Sequence, residues 1–171
     1  MKTVSNVLFC LMICFGCALS AIAQTQNDKP KLFNKFEFIG VEHAQAIMDV
    51  FIQELNEKPT STAYIIVYGA KSDCLFIVNS KTKQPENKSV LPLKGLAQRR
   101  LKFCRDYLIN NRGFDKSRLV LIDGGYKEKP STEFWLVSAG QEPPKPAPTF
   151  EEKDVKFRKG KIKKSDVLKD C

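Results

Sequence analysis

The pattern of apolar runs predicts an α+β fold, a two-layer sandwich in which two helices cover one face of a mixed sheet. Three observations carry this. Residues 41–57 hold apolar side chains at three-and-four spacing, residues 63–69 form an almost continuous apolar and aromatic run of strand length, and a Gly-Gly pair at 124–125 separates two further strand-like runs. The predicted order is β-α-β-α-β-β. A chain of 171 residues has room for one ordinary domain and a tail. Its 43% apolar content is too high for a disordered chain, and nine Pro with nine Gly exclude collagen-like and Pro/Gly-rich low-complexity classes.

The elements follow in order. Phe36-Glu37-Phe38-Ile39-Gly40 alternates and stops at glycine, as a first strand would. Val41, Ala44, Ile47, Met48, Phe51, Ile52 and Leu55 make the stripe of the first helix, which Pro59 ends. The run from Tyr64 to Gly69 suits a central strand covered on at least one face. Leu75 to Val78 reads as a short strand or a packed loop, and 79–94 as a basic loop. A second helix runs from Pro92 or Leu93 to about Asn111, with Leu96, Arg100, Leu101, Cys104 and Leu108 on one face and Gly113 closing it. Residues 118–123 and 132–138 supply the last two strands. Right-handed crossovers make the first three strands parallel, and the short Gly-Gly link lets the last run antiparallel.

The chain divides into a leader at 1–23, a linker at 24–34, the α+β domain at 35–139, a Pro-rich linker at 140–148 and a charged tail at 149–171. The leader has Lys2, an apolar stretch over 7–19 and the small-x-small site Ala21-Ile22-Ala23, the marks of a secretory signal. Its apolar stretch is shorter than the ~20 residues of a membrane span. Lipid attachment at Cys17 is the alternative. The expected location is periplasmic or secreted, with no transmembrane span after cleavage. Loss of Lys2 lowers the net charge from +9 to +8.

The mature chain keeps three of six cysteines, Cys74, Cys104 and Cys171. A Cys74–Cys104 disulfide is one reading; Cys104 as a small buried apolar residue is the other. The mature chain holds no Cys-x-x-Cys, Walker, Gly-x-Ser-x-Gly or His-Glu-x-x-His motif. The expectation is therefore no metal, no cofactor and no catalysis. The single histidine, His43, has no evident partner. Asp123 before Gly-Gly suits turn chemistry, and Trp135 suits a strand face. Basic side chains concentrate at Lys81, Lys83, Lys88 and Lys94 and again at Lys156, Arg158 and Lys159. In an extracytoplasmic protein they fit cell-wall polymer, an anionic surface or an acidic envelope protein, whereas the compartment disfavours nucleic acid.

Residues 96–108 read Leu96-Ala97-Gln98-Arg99-Arg100-Leu101-Lys102-Phe103-Cys104-Arg105-Asp106-Tyr107-Leu108. This resembles the Leu-Ser-x-x-Arg-Ala-x-x-Val-x-x-Tyr-Leu pattern of the OmpA-like, peptidoglycan-associated C-terminal domain family. Gly113-Phe114 through Leu119, and Gly124-Gly125-Tyr126-Lys127-Glu128-Lys129-Pro130, are similar to that family's next motifs. The resemblance spans residues 35–138. Tyr64 to Gly69, Ile122 to Tyr126 and Glu133 to Val137 are also similar to small secreted bacterial proteins of unassigned activity that look like trimmed domains of this kind. The resemblance implies a noncatalytic cell-envelope module in which Asp73 and Arg100 grip an amino-acid moiety of the peptidoglycan stem peptide. A guanidinium forks onto a carboxylate and a carboxylate accepts from an ammonium. Asp73 stands one residue further from Gly69 than the family spacing, and Leu93 stands where the family has Asn. The other reading is a protein-interaction module that uses the basic loop and charged tail and has a degenerate ligand site. The deciding observation is whether Asp73 and Arg100 meet at an open pocket.

Overall fold

The structure, a computed structural model, describes residues 29–169. The leader expected at 1–23 and Cys171 lie outside these residues. In chain order the elements are β1 (Lys31–Phe36), α1 (Val41–Glu57), β2 (Thr62–Ala70), β3 (Asp73–Val78), β4 (Pro85–Val90), α2 (Leu96–Arg105), β5 (Leu119–Lys127) and β6 (Ser131–Val137). Four strands make a mixed sheet in the spatial order β1-β6-β2-β5, and β3 pairs with β4 in a separate hairpin. β6 runs antiparallel to β1 and β2, and β2 runs parallel to β5. β1, β2 and β5 therefore share a direction that β6 opposes, as expected. β6 does not sit beside β5, however; it inserts between β1 and β2.

One face of the sheet carries the core. β2 presents Ala63, Ile65 and Val67, all fully buried, to that side. Against them α1 lays Ala44, Met48, Phe51 and Leu55, one per turn of its apolar stripe. Ala97 and Cys104 of α2 join the same cluster, with Tyr107 and Leu108 from the wider turn over Asp106–Asn111 that extends it. The two helices thus cover one face of an α+β mixed sheet. Phe51 meets Phe134 of β6 edge-on, with ring centroids 5.2 Å apart. Arg118 ties the C-terminal end of α1 to β5 by donating to the carbonyls of Leu55, Lys58 and Ser61 at 2.8–3.0 Å. Cations favour that end of a helix.

Two elements differ from their sequence expectation. The first strand lies over Lys31–Phe36, before the alternation at 36–40, because its ladder with β6 is what holds it: Lys31 pairs with Leu136 and Phe36 with Thr132. The segment read as a basic loop is a hairpin, with Asp73 opposite Val90 and Val78 opposite Pro85. Asn79 makes its turn by accepting from the amides of Lys81 and Thr82 at 2.9 and 3.2 Å.

The second face of the sheet is covered too. Ile66 and Tyr68 of β2 are buried there. The Pro-rich segment lies across them: the Ala147 amide donates to the Tyr68 hydroxyl at 3.2 Å, and the amides of Thr149 and Phe150 donate to the Tyr126 carbonyl. Gly124 and Gly125 do not end β5. They form an irregularity in its ladder with β2, after which Gly69 faces Tyr126. Glycine is required at both positions. Gly125 has φ +79°, and a Cβ on Gly124 would lie 2.6 Å from the ring of buried Tyr68 and 2.8 Å from Ile66. Gly124→Ala is expected to lower stability by roughly 1–3 kcal/mol through overpacking, read as a lower urea midpoint at unchanged slope.

Candidate functional site

Asp73 opens β3 after a two-residue link, Lys71-Ser72, from the carboxyl end of β2. The ladder continues through that link, where the amides of Lys71 and Ser72 donate to the carbonyls of Lys127 and Glu128 at 2.8 and 2.9 Å. The carboxylate of Asp73 is thereby carried to the place where open α/β sheets hold ligands. Arg100 lies one turn into α2, between Ala97 and Cys104 on its buried side. Both charges are removed from water: Asp73 is 2% exposed and Arg100 4%. Burial lowers the pKa of the guanidinium, and the negative charge of Asp73 opposes that shift. The structure brings the two together without pairing them directly.

They meet on the chain's own C-terminal segment. The Nζ of Lys169 donates to Oδ2 of Asp73 at 2.9 Å, with the lysine side chain only 11% exposed. The Nε of Arg100 donates to the carbonyl of Val167 at 2.6 Å. Leu168 between them is buried. The other oxygen of Asp73, Oδ1, is buried and accepts no hydrogen bond among the described residues. What remains beside Arg100 is an enclosed space of about 10 Å³ bounded by Leu93, Leu96, Tyr126 and Phe157, room for about one water. The contacts on Asp73 and Arg100 come from the tail, while the space beside Arg100 is walled by Phe157 of the tail together with Pro92 and Leu93 of the segment read as a basic loop. Lys169 and Val167 are partners of Asp73 and Arg100 that the spacing of sequence motifs does not reveal. Their signal is the apolar pair Val167-Leu168 beside a lysine in an otherwise charged stretch.

The basic residues separate into two groups. Lys81, Lys83 and Lys88 stand exposed on the hairpin and make no ion pair among the described residues. Lys156 and Lys159 are likewise exposed on the tail. Lys94 and Arg158 instead hold the tail down. Lys94 pairs with Glu152 at 2.5 Å. Arg158 donates from Nε to the Leu91 carbonyl, donates from its amide to Pro92 at 3.0 Å, and lies 3.8 Å from Asp166.

Cys74 and Cys104 are not joined. Cys74 is disulfide-bonded, while Cys104 is a free thiol packed into the helix–sheet core, the bland alternative for that residue. Position decides this, because Cys104 faces the core from α2 whereas Cys74 lies in the hairpin outside it. His43 is exposed on α1, and among the described residues no cluster of His, Cys, Asp and Glu could hold a metal. Asp123 lies within β5 at its irregularity rather than at a strand end, accepting from the Gly125 amide at 3.1 Å and from Gln98 at 2.5 Å. Trp135 lies on the second sheet face and donates to Glu133 at 3.3 Å. That buried glutamate also accepts from Lys127 and the Tyr68 hydroxyl, at 3.1 and 3.3 Å, so it binds three strands together.

Burial pushes the Cys104 thiol up to about 12 from an ordinary 9.0. A raised folded-state value means the thiol's stabilising contribution is whole below pH 9 and is lost as pH climbs toward 12. Unfolding free energy should fall across that window, and a Cys104→Ala protein should show a shallower fall. At pH 8 iodoacetamide should leave Cys104 unmodified in the folded protein and label it on denaturation.

Among the described residues no helix is long and apolar enough to cross a membrane. Comparison with protein-family models, with curated proteins and with solved structures returns no match for the chain.

Proposed function

We propose that the protein is a noncatalytic binding module of the bacterial cell envelope, with the OmpA-like arrangement its sequence resembles, periplasmic or secreted after loss of its leader. Asp73 and Arg100 recognise an amino-acid moiety of the peptidoglycan stem peptide. One observation carries this reading. The pair holds an ammonium on Asp73 and a carbonyl oxygen on Arg100 at the same time, both from residues 167–169. A ligand that presents an ammonium beside a carboxylate matches that chemistry and gives Arg100 a charged partner in place of a neutral one. Recognition by two buried opposite charges is also selective, because a ligand lacking either group leaves the other unpaired.

Retention on purified peptidoglycan sacculi tests the reading. Arg100→Lys keeps the positive charge but loses the fork, and Asp73→Asn keeps the shape but loses the negative charge. Each is expected to lower retention about tenfold or more, the worth of a charged hydrogen bond. Equal retention of both variants and the parent protein, with folding verified by circular dichroism, would remove the assignment.

A second reading draws on the hairpin. Its three exposed lysines, Lys81, Lys83 and Lys88, lie beside the exposed apolar residues Leu75 and Val78, a surface suited to an acidic protein or an anionic lipid surface. Replacement of all three by Gln should weaken binding to phosphatidylglycerol vesicles by roughly 1 kcal/mol per lysine at low salt. Unchanged binding rules this reading out.

A further inference from the structure

The segment that closes the site is fastened at a few points. Val155 and Leu168 are its buried apolar anchors. Between them Arg158 hangs on the carbonyls of Leu91 and Pro92, and at the far end Lys169 reaches Asp73. The stretch between carries Lys159, Lys161, Lys163 and Lys164, all exposed and close in sequence, so their mutual repulsion works against a tightly seated path. The closed arrangement is also incomplete. A single ammonium satisfies one oxygen of Asp73 and leaves Oδ1 buried without a donor. A buried acceptor left unpaired costs free energy that a better-matched partner would recover.

We infer that residues 155–169 form a displaceable strap over the Asp73–Arg100 pair, in which Lys169 is a built-in occupant that an incoming ammonium must replace. The identity of the incoming group rests on the function proposed above; the strap itself does not. Removal of the Lys169 charge leaves Asp73 with no ion-pair partner on its carboxylate among the described residues, and the strap loses that point of attachment. Leu168 belongs to the helix–sheet core cluster and Val167 packs against it, whereas Lys169 does not, so removing only the Lys169 charge leaves the contacts of α1, β2 and β6 in place.

Native-state amide hydrogen exchange of the full mature chain tests this, with the parent protein, Lys169→Met and Lys169→Arg compared. Met keeps the apolar stem and drops the charge; Arg keeps the charge. Each is measured with the Cys74 disulfide intact and again after its reduction. The expected result is exchange at least tenfold faster in Lys169→Met at the Arg158 amide, which bonds to Pro92, with β2 and β6 amides unchanged and Lys169→Arg close to the parent. Acceleration confined to the strap in either redox condition supports the proposal. Equal acceleration in strap and sheet, or none in both conditions, overturns it. Retention on sacculi then separates the strap from the ligand. Higher retention of Lys169→Met than of the parent supports both. A strap that opens while neither protein is retained leaves the strap standing and removes the peptidoglycan reading. Equal, measurable retention of both proteins despite an open strap overturns the competition.

Discussion

β2 carries Ala63, Ile65 and Val67 on one face and Ile66 and Tyr68 on the other, and all five are buried. A strand apolar on both sides has to be covered on both sides, since each large side chain left in water forfeits about 1.5–3 kcal/mol of transfer free energy. The two amphipathic helices supply one cover. No third helix exists among the described residues to supply the other, so the Pro-rich segment after β6 takes that role. This is a suitable use for it. Proline-rich backbone is extended before folding, so laying it along a sheet loses less conformational entropy than ordering a flexible chain would.

That cover has a consequence for the site. Once the chain is pinned at Ala147, Thr149 and Phe150, it leaves the sheet at the end where Tyr126 and the link to Asp73 lie. The next twenty residues start close to the carboxyl end of β2 and pack there through Val155, Leu168 and Lys169. Arg100 comes to the same place from the helix layer. Asp73, Arg100 and Lys169, from three parts of the chain, come together there largely removed from water. Desolvating them is costly, and breaking such a buried pair by deleting one partner typically costs ~3–5 kcal/mol.

The polar groups of the second sheet face are arranged by the same need. Glu133 is buried in β6, and the alternation that puts Phe134 into the core puts Glu133 and Trp135 outside it. A lone buried carboxylate would be destabilising, and Lys127, Tyr68 and Trp135 satisfy it from three directions. This network accounts for the Glu-x-Trp spacing by structure.

The helices, the central strand and the face on which Arg100 lies are legible in the residues alone, because periodicity and helix ends are local properties; the Gly-Gly pair read as a turn is instead an irregularity inside β5. α1 falls where its stripe of apolar residues places it, and Gly113 closes the second helical segment with φ +67°. The sequence did not determine the partner of β6, the hairpin over 73–90 or the first strand's position. Each of these rests on a ladder between residues far apart in the chain, and β4, Pro-Glu-Asn-Lys-Ser-Val, has no apolar alternation of its own to announce it. It placed Asp73 and Arg100 near one another through a resemblance, yet only the tertiary structure decided that the site is closed. Val167 and Lys169 lie 67 and 96 residues from the groups they bind, and the apolar pair Val167-Leu168 beside Lys169 marks that lysine without saying which distant group it meets.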